Sequence, residues 1–222
     1  DVIPSVNFGD RAGDRQPDMI LLHYTGMPDV EGAIAQLCTA GTEVSAHYIV
    51  LEDGRIVQCV PESKRAWHAG VSAWAGEEDI NSCSIGVEII NRGHDWGYPD
   101  FPLRQIAAVI ALCRGIMLRR RVAPHRVLGH SDVAPGRKKD PGEKFPWQSL
   151  ANSGVGHWVQ PAPIVRGDAL QLGAHQQGAF HIAGGHALAE GDAAQLPAGR
   201  QGERAGWCGQ GLGRGDLGSP LL

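Results

Sequence analysis

Residues 18–26 read DMILLHYTG, an apolar run that ends on a histidine. A short run of this kind, bounded by polar and turn-forming residues, is typical of a strand buried inside a sheet. The segment therefore predicts an inner strand from Met19 to His23, with the imidazole at its end. In that position a side chain is held on a rigid frame next to a loop, where functional groups concentrate.

Apolar runs alternate with helical patterns downstream of this strand, as far as about Pro161. This alternation predicts an α/β (α+β) domain with a central mixed β-sheet flanked by helices. The further predicted elements are a helix over Val30–Leu37, hairpin strands over Ala46–Leu51 and Arg55–Val60 joined at Glu52-Asp53-Gly54, strands over Cys83–Ile90 and Arg126–Gly129, and a last helix over Trp147–Ala151.

A longer helix is predicted after Pro102, followed by the basic run 119–121. The basic run predicts a solvated helix end, since the helix dipole favours cations there. Apolar residues recur at helical spacing and predict a largely buried stripe. These residues are Leu103, Ile106, Ile110, Cys113 and Met117, and Ala107, Val109, Leu112 and Ile116 broaden the stripe.

The character of the sequence changes after about Pro163. From Gly167 onward, 14 of the 31 glycines fall in the last 56 residues, and Ile182 is the remaining β-branched aliphatic residue. So little apolar side chain cannot offset a backbone entropy of about 1–2 kcal/mol per ordered residue. We therefore expect one folded domain over residues 1–163 and a poorly structured, Gly/Ala-rich tail over residues 164–222. His175, His181 and His186 in the tail lack the rigid spacing of a metal site.

Composition excludes several classes of protein. A net charge of −4 and a pI near 6.2 argue against nucleic-acid binding, which needs a concentrated basic surface. Five scattered cysteines without a C-x-x-C pair argue against a disulfide framework. No apolar run approaches the roughly 18 residues of a membrane span, and no signal-peptide pattern is visible, so we expect a cytoplasmic protein. The sequence leaves the oligomeric state open, and a monomer is the expectation. The chain begins at Asp1, and a preceding leader would instead indicate a periplasmic or envelope-anchored protein.

Polar residues follow two of the predicted strands. His23 ends the first, and His130 follows Val127-Leu128-Gly129 and opens a segment that contains Asp140. Two imidazoles and one carboxylate are the ligand set of a hydrolytic zinc site, whose fourth position is left for water. This pattern predicts a site for one zinc ion.

Two further residues fit such a site. Glu88 is a carboxylate within an apolar strand, where burial would raise its pKa towards that of a general base. Lys138, two residues before Asp140, could stabilise an oxyanion. Taken singly, each candidate also has a structural interpretation: a hydrogen-bonded histidine, a turn aspartate before Pro141, or a glutamate paired with an arginine.

Five ordered blocks resemble the zinc-dependent N-acetylmuramoyl-L-alanine amidases of the AmpD/AmiD type (amidase type 2), which are related to peptidoglycan recognition proteins and phage amidases. The likeness covers about Pro17 to Pro161. The blocks are Leu22–Thr25, Ser45–Tyr48, Ala66–Gly70, Ser84–Glu88 and His130–Asp132 continuing through Lys138, Asp140, Pro141 and Gly142.

The resemblance implies roles for individual residues. His23, His130 and Asp140 are implied to be the zinc ligands, Glu88 the catalytic acid/base and Lys138 the transition-state stabiliser. For Trp67 and His68 it implies a place in the substrate cleft, with a core tryptophan and a loop-holding histidine as the open alternative. His47 is interpreted as structural. Phage relatives carry a tyrosine where this chain has Ala46, which favours the arrangement with Glu88.

The implied activity is hydrolysis of the bond between N-acetylmuramic acid, or its 1,6-anhydro form, and L-alanine of peptidoglycan stem peptides. Peptidoglycan or a muropeptide is thus the expected partner. Two alternatives stay open: a peptidoglycan-binding module that does not cut, and a zinc peptidase, although no His-Glu-x-x-His motif is present. AmiD-like members often carry a helical peptidoglycan-binding module after the catalytic domain, and the tail could be a frameshifted reading of one.

Overall fold

The computed structural model describes residues 1–160. The predicted tail over residues 164–222, with its three histidines, lies outside the described residues. Within residues 1–160 no helix is both long and apolar enough to span a lipid bilayer. The helices are α1 (Val30–Cys38), α2 (Ile80–Cys83), α3 (Leu103–Arg120), α4 (His130–Val133) and α5 (Trp147–Asn152).

The described residues form a five-stranded sheet in the order β4-β3-β6-β2-β7, and a separate two-stranded pair of β1 with β5. In the larger sheet β3 and β4 are antiparallel and the other neighbours are parallel. The predicted central mixed sheet flanked by helices is therefore confirmed. The strands are β1 (Phe8–Gly9), β2 (Met19–Tyr24), β3 (Tyr48–Val50), β4 (Ile56–Gln58), β5 (Arg65–Ala66), β6 (Ser84–Ile89) and β7 (Val127–Gly129).

Strand register places the polar residues at one edge of the sheet. His23 of β2 lies opposite Glu88 of β6, and Leu22 lies opposite Gly129, the last residue of β7. Because side chains of paired residues point to the same face, His23 and Glu88 share a face. His130 follows immediately beyond β7. The largely apolar and buried runs of β2 and β6 fit strands that are covered on both faces.

Helix α3 buries most of the stripe that its sequence predicts, but Leu103 and Ala107 are exposed. Ile106, Val109, Cys113 and Ile116 are buried, whereas Leu103 is 89% exposed. Leu103 lies about 100° around the helix from the centre of this stripe, at 3.6 residues per turn. Its predicted place in the buried stripe is therefore wrong.

Helix α2 was not predicted, and it replaces the start of the strand predicted over Cys83–Ile90. The side chain of Asp79 accepts a hydrogen bond from the backbone N–H of Ser82, which caps the helix. Asp, Asn and Ser compete with strand pairing through such local bonds. The strand therefore begins at Ser84, one residue later than expected.

The basic run at the end of α3 is partly solvated, with the Arg119 side chain 43% exposed, but two of its arginines also pair with a buried carboxylate. Buried Glu62 accepts hydrogen bonds from Arg119 at 2.5 Å and from Arg120 at 2.6 Å, and also one from the hydroxyl of Tyr48 at 2.8 Å. Burial raises the pKa of Glu62, but these hydrogen bonds outweigh it and hold the pKa below its ordinary value. The ionised form of Glu62 therefore favours the folded state.

We expect Glu62→Ala to lower the free energy of unfolding by about 1–3 kcal/mol at pH 7, since two arginines lose their partner. The pKa of Glu62 is lower in the folded state than in the unfolded state. The stabilisation by Glu62 is therefore fully present at a pH above the unfolded-state pKa, and it is lost as the pH falls through the folded-state pKa. Denaturant unfolding at pH 7 and at pH 4 would measure it, with exposed Glu78→Ala as control. A difference between wild type and variant that stayed constant with falling pH would contradict this account.

Candidate metal centre

Three buried polar side chains meet at the carboxyl ends of the parallel strands. His23 Nδ1 lies 2.9 Å from His130 Nδ1, and each of these nitrogens lies 3.0 Å from Asp140 Oδ2. The loop after α4 returns Asp140 to this point, because the N–H of Ser131 donates to the Asp140 carbonyl at 2.9 Å. Residues separated by more than a hundred positions thus share one point in space.

The two imidazole rings make their other hydrogen bonds through Nε2. This leaves a lone pair on each of the three atoms that converge, since the carboxylate oxygen of Asp140 is an acceptor in any case. His130 Nε2–H donates to the Ala69 carbonyl at 2.9 Å, so its Nδ1 carries no proton in the neutral ring. His23 Nε2 lies 3.1 Å from His68 Nδ1, and His68 Nε2 lies 3.4 Å from Ser84 Oγ. Because Ser84 Oγ–H donates to the Ile80 carbonyl, His68 donates to Ser84 and accepts from His23.

Three converging acceptors are the arrangement that a cation stabilises. Ligand atoms about 2.0–2.1 Å from a tetrahedral zinc ion lie about 3.3 Å from one another. The separations found here are 2.9–3.0 Å. Within residues 1–160, no other group of His, Cys, Asp and Glu is found to converge in this way. The donor set and its spacing fit one divalent metal ion.

Electrostatics keep the ligand histidine in the form that binds metal. Burial and the neighbouring His130 lower the pKa of His23 to about 4. Burial and the ring of His23 likewise lower the pKa of His68 well below its ordinary value. Both rings are therefore neutral at pH 7, and a neutral imidazole is the metal-binding form.

Glu88 is partly buried beside this centre. Its Oε2 is fully covered and has no hydrogen-bond partner among residues 1–160. Burial raises the pKa of Glu88 well above its ordinary value, with a further contribution from the charge of Asp140, and Lys138 opposes the shift. A carboxyl group with a raised pKa can take up and return a proton near neutral pH.

A cavity of about 510 Å³ opens over these residues. Lys138 lies on its wall with an exposed side chain, and Trp67 is partly buried there. The structure places every sequence-predicted site residue around this one cavity. They are His23, Trp67, His68, Glu88, His130, Lys138 and Asp140.

Residues 13–143 match the sequence profile of the N-acetylmuramoyl-L-alanine amidase family. The chain belongs to this family. Relatives include AmiD of Escherichia coli, 41% identical over 63% of this chain and 54% of its own length, and AmpD of Citrobacter freundii, 36% identical over 65% and 84%. The chain thus spans about half the length of AmiD and most of AmpD.

Solved structures of amidases share the fold. AmiD of E. coli, in complex with anhydro-N-acetylmuramic acid-L-Ala-D-γ-Glu-L-Lys, is similar with a TM-score of 0.60 and 35% identity over 72% of this chain and 71% of that one. AmpDh3 of Pseudomonas aeruginosa, in complex with an anhydromuramic pentapeptide, gives a TM-score of 0.61 and 35% identity over 71% and 72%. Both of these structures contain an anhydromuramic peptide.

His68 has a positioning role that the sequence did not specify. It is 9% exposed, and it fixes the ring of His23 through the hydrogen bond between Nε2 and Nδ1. Such partners orient the first ligand and select its tautomer. His47 is fully buried, accepts from the N–H of Gly86 at 2.9 Å and faces the Lys64 carbonyl at 3.0 Å. Its geometry is that of a structural residue.

Other contributors were missed because only tertiary contact reveals them. Arg137 donates to the carbonyls of Ala69 at 2.7 Å and Val71 at 2.6 Å, and Ala69 also receives the hydrogen bond of His130. Asn81 Oδ1 accepts from the N–H groups of His68 and Ala69 at 3.0 and 2.9 Å. The loop that carries His68 is thus held from two sides. The Ala66–Gly70 block in the sequence indicates that this loop belongs to the site. It does not indicate that Asn81 and Arg137 hold the loop in place.

Gly86 of β6 leaves room for the His68 ring. A Cβ at this position would lie 2.5 Å from atoms of that ring, closer than real Cβ atoms approach. We expect Gly86→Ala to cost about 1–3 kcal/mol of stability through overpacking and to weaken zinc binding about 10–100-fold by displacing His68. Thermal unfolding and competition with a chromogenic chelator would measure both.

Gly9→Ala is the matched control for this substitution, because nothing lies within 4 Å of the added Cβ. It should leave both quantities unchanged. If Gly86→Ala bound zinc as tightly as Gly9→Ala does, the positioning role of His68 would be refuted.

Proposed function

We propose that this chain is a zinc-dependent N-acetylmuramoyl-L-alanine amidase. It hydrolyses the amide bond between N-acetylmuramic acid, or its 1,6-anhydro form, and L-alanine of the stem peptide. The observation that carries the proposal is the convergence of two imidazoles and a carboxylate within 3.0 Å, in one cavity with Glu88 and Lys138. AmiD and AmpD, amidases of this type, support the substrate class.

His23 Nδ1, His130 Nδ1 and Asp140 Oδ2 would hold the zinc ion. When bound there, zinc supplies a Lewis acid that polarises the scissile carbonyl and lowers the pKa of water towards about 7. The protein's own groups orient the ligands and the substrate and transfer the proton. His68 and the Ala69 carbonyl hold the two imidazoles in the required tautomer.

Glu88 serves as the proton carrier. Its carboxylate accepts a proton from the attacking water and returns it to the L-alanine nitrogen, so that the leaving group departs as a neutral amine. The raised pKa makes both halves of this transfer feasible at neutral pH. The Lys138 ammonium on the cavity wall stabilises the negative charge that develops on the carbonyl oxygen. Trp67 supplies an apolar surface for the substrate.

Incubation with anhydro-N-acetylmuramic acid-L-Ala-D-γ-Glu-L-Lys tests the proposal. We expect release of the intact peptide L-Ala-D-γ-Glu-L-Lys, detected by mass spectrometry, with loss of activity in a zinc chelator and recovery when zinc is restored. The sugar product should retain its lactyl carboxylate. The reaction should be at least a hundredfold slower after metal removal.

The products also separate the alternatives. Binding without release of peptide would indicate a recognition module, and cleavage between amino acids would indicate a peptidase. Peptide release that is unaffected by the chelator would defeat the zinc mechanism. The cytoplasmic location and the monomeric state stay predictions, which cell fractionation and light scattering would test.

A further inference from the structure

A chain of three hydrogen-bonded side chains runs along the cavity wall, outside the metal centre. The Tyr24 hydroxyl lies 2.9 Å from His94 Nδ1, and His94 Nε2 lies 2.9 Å from Glu143 Oε2. Tyr24 and His94 both line the cavity, whereas Glu143 lies behind them at the surface. Neither the metal ligands nor Glu88 need this chain.

The direction of these hydrogen bonds follows from the carboxylate. Burial raises the pKa of Glu143, but hydrogen bonds from its own backbone and from His94 outweigh it and hold the pKa below its ordinary value. Ionised Glu143 can only accept, so His94 Nε2 carries the proton and its Nδ1 in the neutral ring is an acceptor. The Tyr24 hydroxyl therefore donates to His94. Its oxygen has no proton left to offer a ligand, and it keeps a lone pair beside the backbone hydrogen bond that it receives from His94.

Packing fixes both rings of this pair. The His94 ring stacks on Tyr98 with a centroid distance of 4.3 Å and an interplanar angle of 24°. The Tyr24 ring lies against Gly93, where an added Cβ would come within 2.6 Å of it and where φ is +70°. Only glycine adopts this conformation readily and admits the ring. The phenol is thus held in place on the wall of the cavity that His23 also lines.

We propose that Tyr24 is a specificity-determining residue that accepts a hydrogen bond from an N–H group of the bound substrate, its acceptor role being set by His94 and Glu143. This inference rests on the proposed function for the identity of the substrate. A muropeptide offers two sources of this chemistry, namely the acetamido N–H of the sugar and the peptide N–H groups. An ester or ether oxygen at the same place would meet the remaining lone pair of Tyr24 and be rejected.

Binding measurements on the zinc-loaded Glu88→Gln variant test this idea independently of turnover. The ligands are anhydro-N-acetylmuramic acid-L-Ala-D-γ-Glu-L-Lys and two analogues. One analogue replaces the acetamido N–H by oxygen, and the other replaces the amide between L-Ala and D-Glu by an ester. Calorimetry gives each Kd. The two arms distinguish a sugar contact from a peptide contact.

We expect one analogue to bind at least tenfold more weakly than the parent ligand, because a hydrogen bond becomes a repulsion. Introducing Tyr24→Phe into the Glu88→Gln variant should weaken binding of the parent ligand about 2–10-fold. It should also reduce the binding penalty of that analogue, measured relative to the parent ligand, to about twofold or less. Glu143→Ala, at an exposed position, removes the acceptor that keeps the proton of His94 on Nε2. The His94 ring can then take either tautomer, so this substitution should also reduce the binding penalty of the analogue. Tyr48→Phe removes a hydroxyl outside the cavity and should leave the penalty unchanged.

The proposal is overturned if both analogues bind as well as the parent, or if the penalty is the same with and without the Tyr24 hydroxyl. Should Tyr24→Phe fold poorly, Glu143→Ala decides alone, and an unchanged penalty in that variant refutes the assigned role. Binding of all three ligands without hydrolysis by the wild type would reject the proposed amidase and leave this test readable. The two failures are therefore distinguishable.

Discussion

Glu88→Gln should lower kcat for muropeptide hydrolysis about a thousandfold or more, while the Kd of the muropeptide changes little. The glutamine side chain has the same shape but cannot take a proton from water, and general acid-base catalysis contributes about 10²–10⁴-fold. Steady-state kinetics and calorimetry on the zinc-loaded protein would measure the two quantities. The zinc content must equal that of the wild type, since Glu88 is not among the three converging ligands.

The same substitution should raise the stability of the metal-free protein at neutral pH. The folded-state pKa of Glu88 is raised, so the protonated form favours folding, and this benefit is lost as the pH rises through the folded pKa. At pH 7 the wild type therefore carries a penalty that glutamine removes. We expect the variant's Tm to exceed the wild-type Tm at pH 7, and the difference to shrink towards pH 4. A lower Tm for Glu88→Gln at pH 7 would contradict the assigned burial penalty.

Much of this fold could be predicted from the sequence because its inner strands are unambiguous. The run that became β2 is continuously apolar up to His23, and the run that became β6 is largely apolar apart from Ser84 and Glu88. Both are bounded by polar or turn residues, and that pattern leaves little choice of structure. Helix α3 was predicted from its periodicity, but the position of Leu103 was not. Several apolar residues near a helix start satisfy more than one stripe, and only packing against the sheet selects one.

The candidate site likewise contains residues that could be predicted from the sequence and residues that could not. His23, His130 and Glu88 each stand at or near the end of a predicted strand, so sheet topology brings them towards one edge. Asp140 lies further along the chain, and the loop after α4 returns it to the same point. The residues that hold these side chains in place could not be predicted from strand positions. Asn81 and Arg137 act through backbone carbonyl and N–H groups of a loop, and no residue pattern records such a bond. The role of Glu62 could not be predicted either, because its two arginine partners lie 57 and 58 residues away in the chain.

Asp140→Ala should abolish hydrolysis and reduce zinc affinity well over a hundredfold, since losing a first ligand costs more than the roughly 10–100-fold of losing a supporting residue. Zinc binding to the folded state should raise the wild-type Tm with increasing zinc concentration, as binding to the native state requires. In Asp140→Ala this rise should vanish. Zinc titration followed by thermal unfolding measures the effect.

Asp100→Ala supplies the matched control, because its side chain is 90% exposed and pairs with Lys144 at 3.3 Å. It should keep the zinc-dependent rise in Tm. Asp140→Asn sharpens the test: it preserves the shape and one oxygen donor but removes the charge, so an intermediate zinc affinity is expected. If Asp140→Ala retained wild-type zinc affinity, the ion would be held elsewhere, and the 3.0 Å approach of Asp140 Oδ2 to both imidazole nitrogens would be a structural contact only.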